Sequence, residues 1–286
     1  MRLALISDIH GNLSALEAVV AHLRAQAPDA VLSLGDQVGL GPCPREVLAL
    51  LAAEGIPCLL GNHEQRLRDL RAGTNPALVT EQCYATVRWT DRQLAGLALD
   101  FPLTRRFATP AGTLLCMHAT PQDCFARVPP GDPGALSELL AACDAPVAAF
   151  GHAHIGFLHR QGDQLGIAVG SVGLSENRAP HTAAYTLLDA TPGGWTVLPQ
   201  VVPYDTAPLY AQIQRGGMAA TCPIMARIAH QAMLTNTLVL MDYLAVAHAC
   251  AQERGLPGSD NEAWYAAAHR FPWLDPSLSC EAYWGL

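Results

Sequence analysis

Apolar and polar positions follow one another along the chain in two rhythms. Residues 2–6 (RLALI) form a short apolar run that stops at Ser7-Asp8. Leu13, Leu16, Val19, Val20 and Leu23 then recur at intervals of three and four, with Asn12 as a cap, which is the spacing of a helix with one buried face. The cycle repeats with a run at 30–35, a Gly/Pro loop at 39–44, a helix near 45–54 and a further apolar run at 56–61. Strand, helix, strand, helix, strand with short loops predicts βαβ units and a largely parallel, buried sheet. Residues 64–98 read as mostly helical.

Beyond that point the texture changes. Residues 112–118, 145–154, 164–171, 183–189 and 195–202 are short strand-like runs separated by turn residues, interrupted by one helix at about 134–143. An α/β half followed by a strand-rich half predicts two sheets packed face to face with helices outside. From 204 onward the pattern is helical, the longest stretch running from 223 to 253, with "GLPGSD" (255–260) before a shorter helix near 261–269. The chain therefore divides into a domain at 1–203 and a helical extension at 204–286. The extension carries Ile224, Ile228, Met233, Leu238, Leu240 and Leu244 along one pattern and gathers Trp264, Tyr265, Phe271, Trp273 and Trp284 near its end. Such faces must be buried. They read first as a buttress for the domain, second as a cap over its ligand cleft, and also as a surface for homo-oligomers.

Composition narrows the classes. Half of the 286 residues are hydrophobic, enough for a packed core, and 17 basic against 25 acidic residues give a net charge of −8. A nucleic-acid polymer is a poor partner for such a chain. Arg66, Arg68 and Arg71, the densest basic group, read as a solvated helix face. The nine cysteines are odd in number and far apart with no CxxC pair, which points to a reducing compartment and the cytoplasm. The first ten residues are too briefly apolar for a secretory leader, and 228–249 is interrupted by His230, Gln231, Asn236 and Asp242, so it reads as a buried helix and not a membrane span.

The candidate chemistry lies where apolar runs end. Asp8 and His10 follow the first, Asp36 the second and Asn62-His63 the third; His118 follows "LLCM", and His152 and His154 follow "AAFG". In open α/β sheets ligands bind beyond the carboxyl ends of strands. Each residue alone has an ordinary explanation as a cap or turn, but five strand ends together deliver a cluster of oxygen and imidazole donors. That donor set without thiolate suits Mn²⁺, Fe²⁺, Co²⁺ or Zn²⁺, and its seven members besides His63 exceed the needs of one ion. A carboxylate shared by two ions would hold them roughly 3.5–4 Å apart, the arrangement that activates water and clamps phosphoryl oxygens.

The order "DIH", "GDQVG", "GNHE", "MH", "GHAH" resembles the calcineurin-like metallophosphoesterase superfamily over residues 1–203. The resemblance implies one metal site of Asp8, His10, Asp36 and His154 and a second of Asp36, Asn62, His118 and His152, with Asp36 bridging. It implies that His63 contacts the phosphate and aids the leaving group, and that two divalent ions are bound, manganese first, with iron, zinc, cobalt or nickel as alternatives. Protein phosphatases of the superfamily extend the second motif to G-D-x-V-D-R-G, whereas Gly39 and Leu40 stand here in place of Asp and Arg. "VGSVG" (169–173) resembles the N-P-G-S-V-G segment of a small bacterial and archaeal phosphodiesterase-like branch, with Ala168-Val169 in place of Asn-Pro, and Arg178 follows as a candidate phosphate contact. The expectation is an α/β protein, a four-layer α/β/β/α sandwich of two mixed sheets with a helical appendage. It would hydrolyse a small phosphodiester with a hydroxide bridging two metal ions. The alternatives are a phosphomonoesterase, protein phosphatase or nuclease of the same superfamily, or a non-catalytic scaffold with its fold.

Overall fold

The structure, a computed structural model, describes residues 1–285. Strand β1 (Arg2–Ile6) and helix α1 (Leu13–Gln26) open the chain, followed by β2 (Ala30–Ser33), α2 (Pro44–Ala53), α3 (Asn62–Ala72), α4 (Ala77–Thr80) and α5 (Ala85–Gln93). Next come β3 (Thr104–Thr109), β4 (Gly112–Met117), α6 (Pro133–Ala142), β5 (Val147–Phe150), β6 (Gly156–Gln161), β7 (Gln164–Val169), β8 (Thr182–Thr191) and β9 (Gly194–Pro203). The rest is helical: α7 (Pro208–Arg215), α8 (Met218–Thr221), α9 (Pro223–Thr235), α10 (Val239–Arg254), α11 (Asn261–Ala267) and α12 (Cys280–Trp284).

Two sheets result, ordered β2-β1-β8-β9 and β3-β4-β5-β7-β6. Alternation along β1 shows why they stack. Leu3 and Leu5 point to one side and join Leu114, Cys116, Val147, Ile167 and Val169 of the other sheet, whereas Ala4 and Ile6 point away and pack on Leu16, Val19 and Val20 of α1. On the far side of the second sheet, Leu115, Ala148 and Phe150 cover Leu136, Leu139 and Leu140 of α6. Helix, sheet, sheet, helix is the four-layer sandwich that the sequence predicts.

The first sheet is not the largely parallel one expected. Only β1 and β2 run parallel; β1–β8 and β8–β9 are antiparallel. The apolar run at 56–61 contributes a single parallel bridge, Ser33 to Cys58, because Gly61 ends it where α3 begins. Strands β3 and β6 carry no apolar alternation, since each sits at a sheet edge with most side chains facing solvent.

The helical pattern of 223–253 is also broken. Asn236, at φ +51°, ends α9 in the left-handed conformation, and its side-chain amide donates to Ala179 O (2.6 Å) and Thr182 O (2.8 Å), pinning the turn to the loop before β8. Helices α7 to α12 share one core with Ala85 and Trp89 of α5 and with Leu174. The Trp89 indole donates to Gly216 O at 3.1 Å and the Tyr204 hydroxyl to Met233 O at 2.9 Å. The extension is thus fastened over the end of the sandwich where the β1, β2, β4 and β5 strands stop. No helix among the described residues is long and apolar enough to cross a membrane.

Candidate metal centre and cleft

Residues from five segments far apart in sequence meet at that end. Asp8 and His10 come from the turn after β1, Asp36 from the turn after β2, and Asn62 and His63 from the first turn of α3. His118 follows β4, and His152 and His154 follow β5. Of these, Asp8, His10, Asp36, His152 and His154 have φ between +51° and +61°. Non-glycine residues in this region cost on the order of 1 kcal/mol or more each, so the strain is concentrated where the side chains must turn inward. The cluster is buried: Asp8, His10, Asp36, Asn62 and His118 are almost wholly shielded from solvent.

Three groups of ligand atoms emerge, each within 4.8 Å: Asp8, His10 and His154; Asp36, His118 and His152; and His10, Asp36 and His63, which overlaps both. His154 Nε2 lies 3.3 Å from Asp8 Oδ1 and 3.1 Å from His10 Nε2. Asp36 Oδ2 lies 3.4 Å from His118 Nε2 and 3.8 Å from His10 Nε2, which places this carboxylate between the groups. The outer ring nitrogens are held as they are around bound metals: His118 Nδ1 meets Leu34 O at 3.0 Å and His154 Nδ1 meets Glu176 Oε1 at 3.4 Å, so each Nε2 is left facing the cluster.

Does this cluster suit a cation? Asp8 Oδ1 and His10 Nδ1 are buried without any hydrogen-bond partner. The inner end of the Asn62 amide lies 3.0 Å from His152 Nδ1, Asp36 Oδ2 and His118 Nε2, and its outer end 2.6 Å from a guanidinium nitrogen of Arg66. With nitrogen inward the amide has two N–H groups to donate, among which Asp36 Oδ2 and His152 Nδ1 are acceptors, and its oxygen accepts from Arg66. With oxygen inward it offers a cation a ligand and frees Arg66 for another acceptor. An electron-rich pocket with orphaned lone pairs fits divalent ions.

The charges point the same way. Burial opposes ionisation of Asp8, but His154 and His118 outweigh it; burial likewise opposes Asp36, and His118 and His63 outweigh it, so both carboxyls lie below the usual range. Burial also opposes charge on the histidines, yet Asp36 lifts His118 to about 9 and Asp8 with Glu176 lifts His154 to about 10. At His10 and His152 burial prevails, and both fall to about 4. Protons on two imidazoles supply the positive charge that this site demands.

His63 stands beside the ligands, its Nε2 4.0 Å from Asp36 Oδ2 and its backbone N–H donating to Asp36 Oδ1 at 2.8 Å. Burial, reinforced by Arg66, keeps the ring neutral against the pull of Asp36. Gly39, at φ +126°, lies so close that a Cβ there would strike the His63 ring. The position where related phosphatases carry an aspartate is therefore closed to any side chain in this backbone.

Several residues here escape the sequence reading. Glu64, at the third position of α3, accepts backbone N–H bonds from Asp36, Val38 and Gly61, all at 3.0 Å, and ties two ligand-bearing turns together. Arg66 is not on a solvated face as expected: one turn after Asn62 it lines the cleft, its guanidinium 5.3 Å from the Phe125 ring and 6.0 Å from that of Tyr84. Arg68 and Arg71 do turn away, to the carbonyls of Leu99 and Leu97. Arg178 is exposed in the loop after Glu176, its backbone N–H on Asn236 O, and does not line the cavity; Arg66 and Arg127 are the arginines that do. The spacing of Arg66, four after Asn62, was the available signal; Arg127 had none.

The cavity above the cluster measures about 340 Å³ and is roofed by the extension, through Ile228, Ala232, Leu238, Val239 and Leu240. At its mouth Phe125, Leu238 and Met241 stay 37%, 46% and 42% exposed, an apolar rim around a polar floor.

Residues 1–191 match the calcineurin-like phosphoesterase superfamily domain. The crystal structure of a metallophosphoesterase from Sphaerobacter thermophilus superposes with a TM-score of 0.61 at 24% identity, over 82% of this chain and 100% of that one. That of a hypothetical protein from Pyrococcus horikoshii OT3 superposes with a TM-score of 0.65 at 17% identity, over 82% and 98%. At these identities the likeness is one of fold. A stretch of 62 residues is 39% identical to an uncharacterised protein of Methanocaldococcus jannaschii and spans 22% of this chain and 26% of that relative, about a quarter of its length. The strained turns at the strand ends, the donors they present and a domain match running from the first residue to the end of β8 have one explanation in common: the chain belongs to the calcineurin-like phosphoesterase superfamily.

Proposed function

We propose that the protein is a metal-dependent phosphodiesterase acting on a small substrate, with two divalent ions, manganese first among them. The observation that carries the diester reading is the shape of the cleft. The central cavity shares Arg127, His152, Glu176 and Leu238 with a hollow of about 300 Å³ at one rim. At another rim it shares Leu40, His63, Arg66, Leu240 and Met241 with a hollow of about 360 Å³. Two arms leaving one polar floor suit a phosphorus that bears two ester groups, whereas a monoester would fill one arm.

Asp8, His10, Asp36 and His154 would hold one ion, and Asp36, Asn62, His118 and His152 the other. Such a pair, when bound, lowers the pKa of water and neutralises phosphoryl charge. The chain's own groups do the rest. Arg66 and Arg127 bind the non-bridging oxygens, and the α9–α10 roof excludes bulk water. His63, a neutral imidazole at the mouth of one arm, donates an N–H to the departing oxygen. The oxygen of water bonds to phosphorus, the P–O bond to that alcohol breaks, the alcohol leaves with one proton and the other passes to solvent. Leu40 lining the cleft, in place of the phosphatase arginine, supports a singly charged diester over a dianionic monoester.

The test is steady-state hydrolysis of bis(p-nitrophenyl) phosphate and p-nitrophenyl phosphate by manganese-loaded protein, with metal content measured on the same sample. A kcat/KM at least about tenfold higher for the diester, with about two ions per chain, is expected. Faster monoester hydrolysis would refute the diester reading, and one ion or none would refute the dinuclear one.

A further inference from the structure

The two arms differ in chemistry, and only one adjoins His63. That arm runs along a single face of α10, where Leu240, Leu244 and Ala247 recur at four and three residues and, with Met241, line one wall. The opposite wall carries Tyr84 and Val87, and Trp264 of α11 also lines the arm. From Leu240 to Ala247 the helix rises about 10 Å, roughly the length of an eight-carbon chain. Ala247 is buried in the extension's core, Leu240 and Leu244 pack partly against it and Met241 is exposed, so the stripe gives the arm an apolar wall whose surface is only partly covered by the protein.

Charge sets the polarity of the arm. Arg66, between the Tyr84 and Phe125 rings, is the cation shared with the central cavity, while Glu81 and Asp260 line the arm itself. One arginine at the metal end suits the phosphoryl group being cleaved. Carboxylates farther along oppose a second phosphate or any other anion on the alcohol.

Building on the phosphodiesterase reading, we infer that this arm receives the leaving alcohol and selects one that is uncharged, apolar and chain-like, about eight carbons long. Sugar phosphates and nucleotides bearing further phosphates are excluded by the same carboxylates. Two observations join in this: continuity of the arm with the candidate active site through His63 and Arg66, and an apolar helix stripe aligned with its axis.

Direct binding separates this from catalysis. Isothermal titration of the full-length, manganese-loaded protein with methyl-, butyl- and octylphosphonate is expected to show affinity rising with chain length, by at least about 100-fold from methyl to octyl. Met241→Glu, at an exposed position, and Leu244→Asp should both bring the octyl-to-methyl ratio down towards one; Met241→Glu keeps the test valid should Leu244→Asp fail to fold. Equal affinity for the three phosphonates overturns the proposal, as does tighter binding of adenosine 5′-monophosphate than of octylphosphonate, or an unchanged ratio in Met241→Glu. Chain-length-dependent binding without release of octanol from methyl octyl phosphate would sustain the arm and defeat the catalytic reading. Hydrolysis of bis(p-nitrophenyl) phosphate with no chain-length dependence in binding would do the reverse.

Discussion

Glu64 is the residue on which the candidate ligands depend without touching the cluster themselves. Its carboxylate collects the N–H groups of Asp36, Val38 and Gly61, so the turn after β2 and the start of α3 are held by one side chain. Glu64→Gln puts an NH₂ group against at least one of these donors and is expected to cost about 2 kcal/mol, seen in urea denaturation, with lower manganese content at fixed metal concentration. Unchanged metal content would show that the turns hold their shape unaided. His63 lines the cavity instead. His63→Asn should retain metal but lose roughly 10²–10⁴ in turnover, and lose less with a p-nitrophenolate leaving group than with an alkoxide. An equal loss for both would leave His63 a role in phosphate positioning alone. That the candidate donors would meet in one cluster was legible in the sequence because each follows an apolar run that must end at the sheet edge. Arg66 and Glu64 were not, because the side that a residue of α3 shows to the sheet depends on how the helix docks, and Arg66-Arg68-Arg71 has the look of a solvated face. Arg178 misled for a similar reason: nearness to the VGSVG segment in sequence does not bring its side chain to the cleft.

At the scale of elements, the turn between α9 and α10 decides what the extension does. Read as one helix from 223 to 253, it would be a straight strut; bent at Asn236, it turns residues 238–241 into a wall of the cleft. The sequence shows only a polar interruption there, Thr235-Asn236-Thr237, which suits the solvent face of a continuous helix as well as a turn, and the bend is fixed by bonds to Ala179 and Thr182, far away in the chain. Asn236→Ala loses those bonds and places a Cβ-bearing residue with no such tolerance in the left-handed region; Asn236 is 1% exposed, so water does not make up the loss. The combined cost is expected to be roughly 2–4 kcal/mol. The wall should loosen with it, weakening octylphosphonate binding more than methylphosphonate binding; a uniform loss for both ligands would show that the bend shapes stability and not the cleft. The edge strands β3 and β6 escaped the pattern for the opposite reason: at a sheet edge burial asks little of the side chains, so no alternation is written into them.

At the scale of the whole molecule, the cluster couples metal to protons. Near pH 7 His118 and His154, with values of about 9 and 10, are protonated, and a cation must take the lone pairs those protons occupy. The ion-free site therefore binds more protons than the loaded one, and metal affinity rises with pH until it levels off near pH 9–10. Adding manganese at pH 7 in weak buffer should release about two protons per chain; release of none, or an affinity indifferent to pH, would contradict this charge balance. The topology also imposes a schedule. β1 is made before either of its neighbours, β2 and β8, and its register pairs Arg2 with Asp189. At roughly 5–20 residues per second, a ribosome needs on the order of ten to forty seconds to reach that partner. For all that time the nascent chain carries Asp8 and His10 at the end of a strand with one side unpaired, and the roof over the cleft is translated later still. The site is thus completed only after β8 and the α9–α10 roof have been made, and a ribosome that stalls anywhere before β8 leaves an open sheet edge for chaperones and proteases to find.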